Sequence, residues 1–382
     1  MFRSGGSQTQ TLSVDPQSRA TVSVNDAVGS NREVAAVINS TEPILAERPM
    51  YFKYHGKNEG GHNTIGSPFT YTSWYFAEGY TGPGFDEWIC ILNPTDETAN
   101  VTITYMFRKG GTQTQTVAVP ARSRETVSVN EAVGYNRELS AKVESAQQIV
   151  VERPMYYGYQ GYGPVAKWNG GHLVMGTTTT SNSWYFAEGY TGSNFEEWFT
   201  LQNPNPSAVT VNITYMFRGG GGQSQSVSLP GNSRETIDVN GVVGSNKEVS
   251  AVIEASQPII AERPMYFKYN NEYDGGDVKM GAYVAWEYWF FAEGYTGPGF
   301  DEWLTLQNPQ GAPADVTVTY MFRGGGTQAQ TLTVGPFSRE TVKVNDIIGS
   351  NKEVSAMISA SRPIVAERPI YFRYHGTYVG GF

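Results

Sequence analysis

The octapeptide Val101-Thr-Ile-Thr-Tyr-Met-Phe-Arg108 indicates both the fold class and the organisation of the chain. Apolar and polar residues alternate along it, so that every second side chain from Val101 to Phe107 falls on the same face of an extended strand. The same alternation returns at residues 211–218 and 316–323, at intervals of 110 and 105 residues. The pattern therefore predicts β-strands in a chain that is built from repeats.

Two further motifs keep this spacing. The first, Glu-Arg-Pro, begins at Glu47, Glu152, Glu262 and Glu367. The second, Trp-Tyr-Phe-Ala-Glu-Gly, begins at Trp74 and Trp184 and returns as Trp-Phe-Phe-Ala-Glu-Gly at Trp289. A period of 105 to 110 residues is too long for a solenoid turn or a propeller blade, and it matches a complete immunoglobulin-sized domain.

Each repeat contains about seven short strands separated by turns, which predicts an all-β chain: a tandem array of immunoglobulin-like antiparallel β-sandwich domains. We expect complete repeats at residues 71–180, 181–285 and 286–382. Residues 1–70 are expected to form a partial β-sandwich repeat that lacks its first strands, the counterpart of residues 288–320. Met1 aligns with Met106, so we expect it to be an interior strand residue of a longer array.

The strand layout has two details that the structure can test. The sequence predicts separate strands at residues 138–144 and 149–157, and Pro154 in the second has no N–H to donate, which predicts an edge strand or a bulge. Gly-Gly pairs follow the last strand of each repeat, beginning at Gly60, Gly170, Gly275 and Gly380. We expect these pairs to lie in flexible connectors unless they pack against a neighbour.

The composition argues against several classes of function. The 382 residues include 27 Lys and Arg against 36 Asp and Glu, a formal net charge of −9, with no local basic cluster. We therefore expect no nucleic-acid binding, because phosphate contacts need clustered cations. The one cysteine, Cys90, has no partner for an intramolecular disulfide and no zinc-site spacing. No apolar run approaches the roughly 18 residues of a membrane span.

No motif has the pattern of a catalytic, metal or cofactor site, so we expect neither enzymatic activity nor a bound cofactor. Acidic pairs begin at Asp86, Glu196 and Asp301. Neighbouring strand residues point to opposite faces, so solvated carboxylates are expected, with calcium binding as the alternative. The position after each Gly-Gly holds residues of unlike chemistry, namely His62, His172, Asp277 and Phe382, so we expect the histidines there to be exposed and functionless.

The arginines of Glu-Arg-Pro lie between apolar residues of a predicted strand. An unpaired buried charge costs several kcal/mol, so each of these arginines needs a carboxylate partner. The glutamates of Ala-Glu-Gly are the candidates, which predicts structural pairs of Glu78 with Arg153, Glu188 with Arg263, and Glu293 with Arg368. A binding role for these residues is the alternative.

Aromatic residues make up 13 % of the chain, and the tryptophans of two repeated motifs are the best candidates for an interface or a glycan site. These are Trp74, Trp88, Trp184, Trp198, Trp289 and Trp303. Exposed tryptophans stack on sugar rings or anchor protein interfaces. A domain of this size without disulfides also needs large apolar side chains in its core, so core packing, contact between units and glycan binding all stay open.

The succession of Trp-Tyr-Phe-Ala-Glu-Gly-Tyr-Thr-Gly, Phe-Asp-Glu-Trp-Leu-Thr-Leu-Gln-Asn-Pro and Val-Thr-Val-Thr-Tyr-Met-Phe-Arg resembles the tandem WYFAEG-type β-sandwich repeats of secreted and surface-anchored bacterial proteins. The resemblance covers essentially the whole chain, since every repeat carries it. It implies an extracellular or cell-surface spacer, stalk or filament, and it brings no catalytic residues with it.

Two hypotheses for function follow. The first is a structural repeat protein whose units stack along one axis in an extracellular filament, stalk or surface layer. It would self-associate with other copies or neighbouring repeats, and strand addition could complete the first repeat. The alternative is a glycan-binding adhesin or an accessory module of a secreted enzyme.

Overall fold

The computed structural model describes residues 1–3, 5–161, 167–376 and 378–382. About 60 % of the chain is strand and 5 % is helix, and the strands form antiparallel sheets in repeated units. The predicted fold class of tandem β-sandwiches is confirmed. The described helices have five residues each, and none of them is long or apolar enough to span a bilayer.

We call residues 1–70 the front segment and the following repeats units 1, 2 and 3. The front segment contains α1 (Val24–Val28), β1 (Glu47–Tyr54) and β2 (Asn58–Ile65). Unit 1 contains β3 (Tyr71–Phe76), β4 (Phe85–Asn93), β5 (Ala99–Phe107), β6 (Thr112–Val119), β7 (Ser123–Ser128), α2 (Val129–Val133), β8 (Leu139–Gln160) and β9 (Lys167–Met175).

Units 2 and 3 repeat this order. Unit 2 contains β10 (Ser181–Phe186), β11 (Phe195–Asn203), β12 (Val209–Phe217), β13 (Gly222–Leu229), β14 (Ser233–Asp238), α3 (Val239–Val243), β15 (Val249–Tyr269) and β16 (Tyr273–Met280). Unit 3 contains β17 (Trp286–Phe291), β18 (Phe300–Asn308), β19 (Ala314–Phe322), β20 (Thr327–Val334), β21 (Ser338–Lys343), α4 (Val344–Ile348), β22 (Val354–Glu367), β23 (Ile370–Tyr374) and β24 (Tyr378–Gly381).

One long strand joins the two layers of each complete unit. In unit 1, the first half of β8 pairs with β3 and β5, and its second half pairs with β4 and β9. Strands β6 and β7 extend the two layers outward. The two strands predicted at residues 138–144 and 149–157 are therefore one continuous strand, because ladders of both sheets follow each other along it.

Pro154 is not on an edge strand, contrary to one of the two options predicted for it. It lies inside β8 opposite Leu173 of β9. On the other side, the ladder with β4 has no pairs between Glu87 with Met155 and Cys90 with Glu152. This gap accommodates the missing N–H without a shift in register.

Inward-facing residues of the alternating strands form the core of each unit. In unit 1, Val101, Ile103 and Tyr105 are fully buried and pack with Trp74 and Phe76. Full burial of a side chain of this size stabilises the fold by roughly 1.5 to 3 kcal/mol. The alternation in the sequence thus identifies the core correctly.

The front segment does not build a core of this kind. Its described residues up to 46 contain α1 and an isolated bridge between Phe2 and Val34, but no strand. Ile38 and Ile44 are exposed, although their counterparts Val143 and Ile149 are fully buried in unit 1. The strands that cover those residues in the complete units have no counterpart within the front segment.

The front segment and the three units close into a ring. Strand β9 packs between β2 and β16, and β24 packs between β16 and β2, so that these four strands surround a common centre. An ion pair between Arg368 and Glu47, 2.8 Å long, joins unit 3 to the front segment across 321 positions of sequence. The expected stacking of units along one axis is therefore not the arrangement within this chain.

The Gly-Gly pairs lie at the centre of the ring, where neighbouring strands come too close for any larger residue. A Cβ atom on Gly171 would lie 2.8 Å from Cζ of Phe52, which belongs to β1 of the front segment. The second glycine of every pair is covered in this way: Gly171 by Phe52, Gly276 by Tyr157, Gly381 by Phe267, and Gly61 by Phe372. The glycines expected in flexible connectors are thus packed contact points.

We expect Gly171→Ala to loosen the ring. The added methyl group would meet Phe52, Tyr156 and the carbonyl oxygen of Met155 at 2.7 to 3.0 Å, and overpacking of this kind costs about 1 to 3 kcal/mol. Thermal unfolding measures the loss. Gly324→Ala is the matched control, because a Cβ there meets no atom within 4 Å; equal melting temperatures for the two variants would contradict the prediction.

Candidate functional site

Buried ion pairs between successive Glu-Arg-Pro motifs cross three boundaries of the ring. The pairs are Arg153 with Glu262 at 2.9 Å, Arg263 with Glu367 at 3.0 Å, and Arg368 with Glu47 at 2.8 Å. Each carboxylate also accepts a hydrogen bond from a backbone N–H of the preceding unit, for example from Ala77 to Glu262 at 2.9 Å. This contact gives the Ala-Glu-Gly motif a role at the boundary.

A second set of buried pairs crosses the same three boundaries. It joins the arginine of Ser-Arg-Glu-Thr, or its counterpart Arg19, to the glutamate of Ala-Glu-Gly in the neighbouring unit. The pairs are Arg234 with Glu78 at 3.0 Å, Arg339 with Glu188 at 3.3 Å, and Arg19 with Glu293 at 3.0 Å. Sequence reasoning missed these arginines as partners, although Ser-Arg-Glu-Thr recurs in the sequence at Ser123, Ser233 and Ser338.

The residues predicted for structural pairs are brought together, but their ionic partners differ from the prediction. Arg153 donates to the backbone carbonyl of Glu78, and its ionic partner is Glu262. Arg263 and Arg368 likewise donate to the carbonyls of Glu188 and Glu293. The carboxylates of Ala-Glu-Gly extend across the boundary instead, because the neighbouring unit offers them a second arginine.

Stacked tyrosines mark all four boundaries, including the one that closes the ring. The pairs, with their centroid separations, are Tyr54 with Tyr156 at 3.9 Å, Tyr159 with Tyr266 at 4.3 Å, Tyr269 with Tyr371 at 3.9 Å, and Tyr374 with Tyr51 at 4.0 Å. Such aromatic pairs contribute roughly 0.5 to 1.5 kcal/mol beyond the area they bury. The four-fold recurrence shows that the boundaries share one geometry.

The candidate tryptophans lie in cores and at boundaries. Trp74 and Trp184 are fully buried, and their indole N–H groups donate to the carbonyls of Ile149 and Ile259 at 3.0 Å. Trp289 makes the same hydrogen bond to Ile364 but is only half-buried. The other three are half-buried: Trp88, which donates to Tyr54 of the front segment at 3.3 Å, Trp198, and Trp303 beneath the ammonium of Lys343.

The acidic pairs are not all solvated, contrary to expectation. Glu87, Glu197 and Glu302 are buried inside their units, and burial raises the pKa of each carboxyl to about 8. The backbone N–H of Tyr80 donates to Glu87 at 2.9 Å. These glutamates lie on the same face of their strands as the apolar core residues, and their side chains are therefore buried.

The residues that follow the Gly-Gly pairs are also buried, which overturns the expectation of exposed histidines. His62, His172, Asp277 and Phe382 lie near the ring centre. Burial lowers the pKa of His62 and His172, and the charges of Arg48 and Arg153 add to the effect. Among the described residues, neither ring nitrogen of these histidines has a hydrogen-bond partner, and no group of three His, Cys, Asp or Glu residues could hold a metal ion.

Comparisons with known proteins give partial structural matches to several solved structures. No protein-family model matches the chain, and no curated protein does. The crystal structure of Thermotoga maritima 1070 is 20 % identical, covering 28 % of this chain and 94 % of that one, with a TM-score of 0.25. The Anabaena sensory rhodopsin transducer is 30 % identical, covering 23 % of this chain and 99 % of that one, with a TM-score of 0.21.

We expect Arg153→Met to destabilise the protein by about 3 to 5 kcal/mol, because Glu262 would remain buried without its partner. Urea unfolding measures the change. Arg122→Met is the control: the side chains of Arg122 and its partner Asp96 are 62 % and 75 % exposed, so its loss costs at most about 1 kcal/mol. Arg153→Met together with Glu262→Met should recover part of the stability; equal effects of the two single variants would contradict the prediction.

We expect the buried carboxylates to make stability fall as pH rises. Glu87, Glu197 and Glu302 keep their protons up to about pH 8 in the folded state, whereas the usual pKa is 4.5. The folded state therefore binds more protons, and stability is lost between about pH 5 and pH 8. A variant with Gln at all three positions should show a flatter dependence of melting temperature on pH; parallel curves for variant and parent would refute the assignment.

Proposed function

We propose that the chain is a structural repeat protein that contributes to an extracellular filament, stalk or surface layer, with the closed ring as the building block. The observation that supports this proposal is that the repeated polar and aromatic motifs lie at the boundaries between units. Their arginines, glutamates and tyrosines bind the units to each other across the ring boundaries. We propose no enzymatic activity, since the repeated motifs are accounted for by packing.

The boundaries support a rigid role. Domains in one chain move relative to each other unless their interface is extensive and well packed. Here each boundary between complete units combines two buried ion pairs, a tyrosine stack and a glycine contact. Buried charges tolerate little displacement, because separating them leaves an uncompensated charge. A ring held in this way suits a mechanical part better than a hinged receptor.

The outer strands support association between rings. Strands β6, β13 and β20 are edge strands, and their residues are mostly exposed Thr, Gln and Ser. An edge strand presents unpaired N–H and C=O groups that pair readily with another chain. Because the units themselves close on each other, we propose that a filament or layer grows by contact between rings.

The extracellular location rests on the resemblance to secreted and surface-anchored repeats. The glycan-binding alternative has less support, because Trp74 and Trp184 are buried in cores and cannot stack on a sugar ring. The formal charge of −9 gives no support to nucleic-acid binding. Self-association between copies remains the proposed mode of partnership.

Labelling of cells tests this proposal. Antibodies against the folded ring should label intact cells of the source organism, and electron microscopy of sheared surface material should show the label at regular spacing along fibres or sheets. An unrelated cytoplasmic protein serves as the control for cell integrity. Label that enters only after permeabilisation, or isolated unlabelled fibres beside dispersed rings, would overturn the proposal.

A further inference from the structure

The ring has an open sector between unit 3 and unit 1, beside the front segment. We propose that this sector binds a polypeptide segment with the chemistry of residues 288–320: an aromatic strand ending in Ala-Glu-Gly, followed by two alternating strands. This inference deepens the structural role proposed above and rests on it, since it names the partner that would complete the ring. Three complete boundaries in the same chain serve as templates for the occupant.

An apolar face of the front segment lies open to this sector. Ile38 is 62 % exposed, whereas its counterpart Val143 is fully buried in unit 1. Val143 is paired there with Trp74 of β3 and with Ile103 of β5. In a complete unit, this position is thus covered by the strand that begins the repeat, β3 in unit 1, and by the strand of the opening octapeptide, β5. The counterparts of these two strands form the two ends of the proposed occupant.

Polar groups at the boundary with unit 1 lack the partners that the templates provide. Arg48 lies 3.0 Å from Glu152, but its side chain is 40 % exposed, whereas that of Arg153 is fully buried. Arg153 also binds the backbone carbonyl of Glu78, and the N–H of Ala77 binds the next carboxylate. An Ala-Glu dipeptide in the open sector would offer the same carbonyl to Arg48 and the same N–H to Glu152.

Arg124 is the second incomplete group. Its counterpart Arg234 binds the carboxylate of Glu78 and the carbonyl of Gly79, and also approaches Glu138 at 4.0 Å. Of these three contacts, Arg124 makes only the counterpart of the last, an ion pair of 3.2 Å with Glu33, the residue that corresponds to Glu138. A glutamate followed by glycine therefore matches the vacant position, which specifies an acidic residue at the end of the bound strand.

The opposite wall of the sector is also apolar. Phe290 of β17 is 49 % exposed, while its counterpart Tyr75 is half-buried and packs against the core of unit 2. The occupant is therefore contacted from both sides, by β17 and by the front segment. A second copy of the chain is a poor fit, because each of its own Ala-Glu-Gly segments is already built into a unit.

A synthetic peptide with the sequence of residues 288–320, added to the full chain, tests the proposal. Fluorescence anisotropy should show saturable binding of one peptide per chain, and hydrogen exchange should show new protection in residues 12–45. The peptide with Glu293→Gln should bind at least about tenfold more weakly, because a charge-assisted hydrogen bond to Arg124 is lost. A scrambled peptide should not bind.

Variants of the chain identify the binding groups. Arg124→Gln should weaken peptide binding about tenfold, whereas Arg122→Gln, at an exposed arginine nearby in sequence, should leave it unchanged. If the free peptide aggregates, the same 33 residues fused directly before Met1 should protect residues 12–45. No protection in either format, or burial of Ile38 by dimerisation of the unmodified chain, would overturn the proposal. These assays are independent of cellular location, so their failure is distinguishable from that of the proposed function.

Discussion

The close approach of four strands at paired glycines is the constraint on which the rest of this structure depends. A Cβ atom on Gly275 would lie 3.2 Å from the Cα atom of Gly380, and aromatic rings cover the second glycine of each pair. Backbone contact of this kind fixes the distance between neighbouring units. At this separation, the tyrosine stacks and buried ion pairs form farther from the centre.

The buried charges add orientation to this distance. Apolar packing is tolerant of small rotations, but a buried arginine stabilises the structure only where carboxylate and carbonyl oxygens meet its donors. Arg153 meets such groups from its own unit and from the next unit at once. Contacts with two different units define the angle between those units as well as their distance. Because every boundary has the same angle, the chain closes into a ring.

Closure also changes how the repeats relate to function. In a linear array, the two end units have free faces, and the geometry does not limit the number of units. Among the described residues of this ring, the sector beside the front segment is incomplete, because apolar residues and Arg124 there lack the partners found at the other boundaries. The same interactions that make the ring rigid therefore specify what the open sector accepts.

The sequence by itself determined the repeat, most of the strands and most of the core, because alternation of side chains along a strand is a local property of period two. It also identified Arg153 as a group that needs a buried carboxylate partner, with Glu78 as the candidate. Only the tertiary structure decided that these partners lie in a different unit, that the chain closes, and that His62, His172 and Glu87 are buried. The physical reason is distance along the chain: Arg368 meets Glu47 across 321 positions, and no local pattern encodes such a contact.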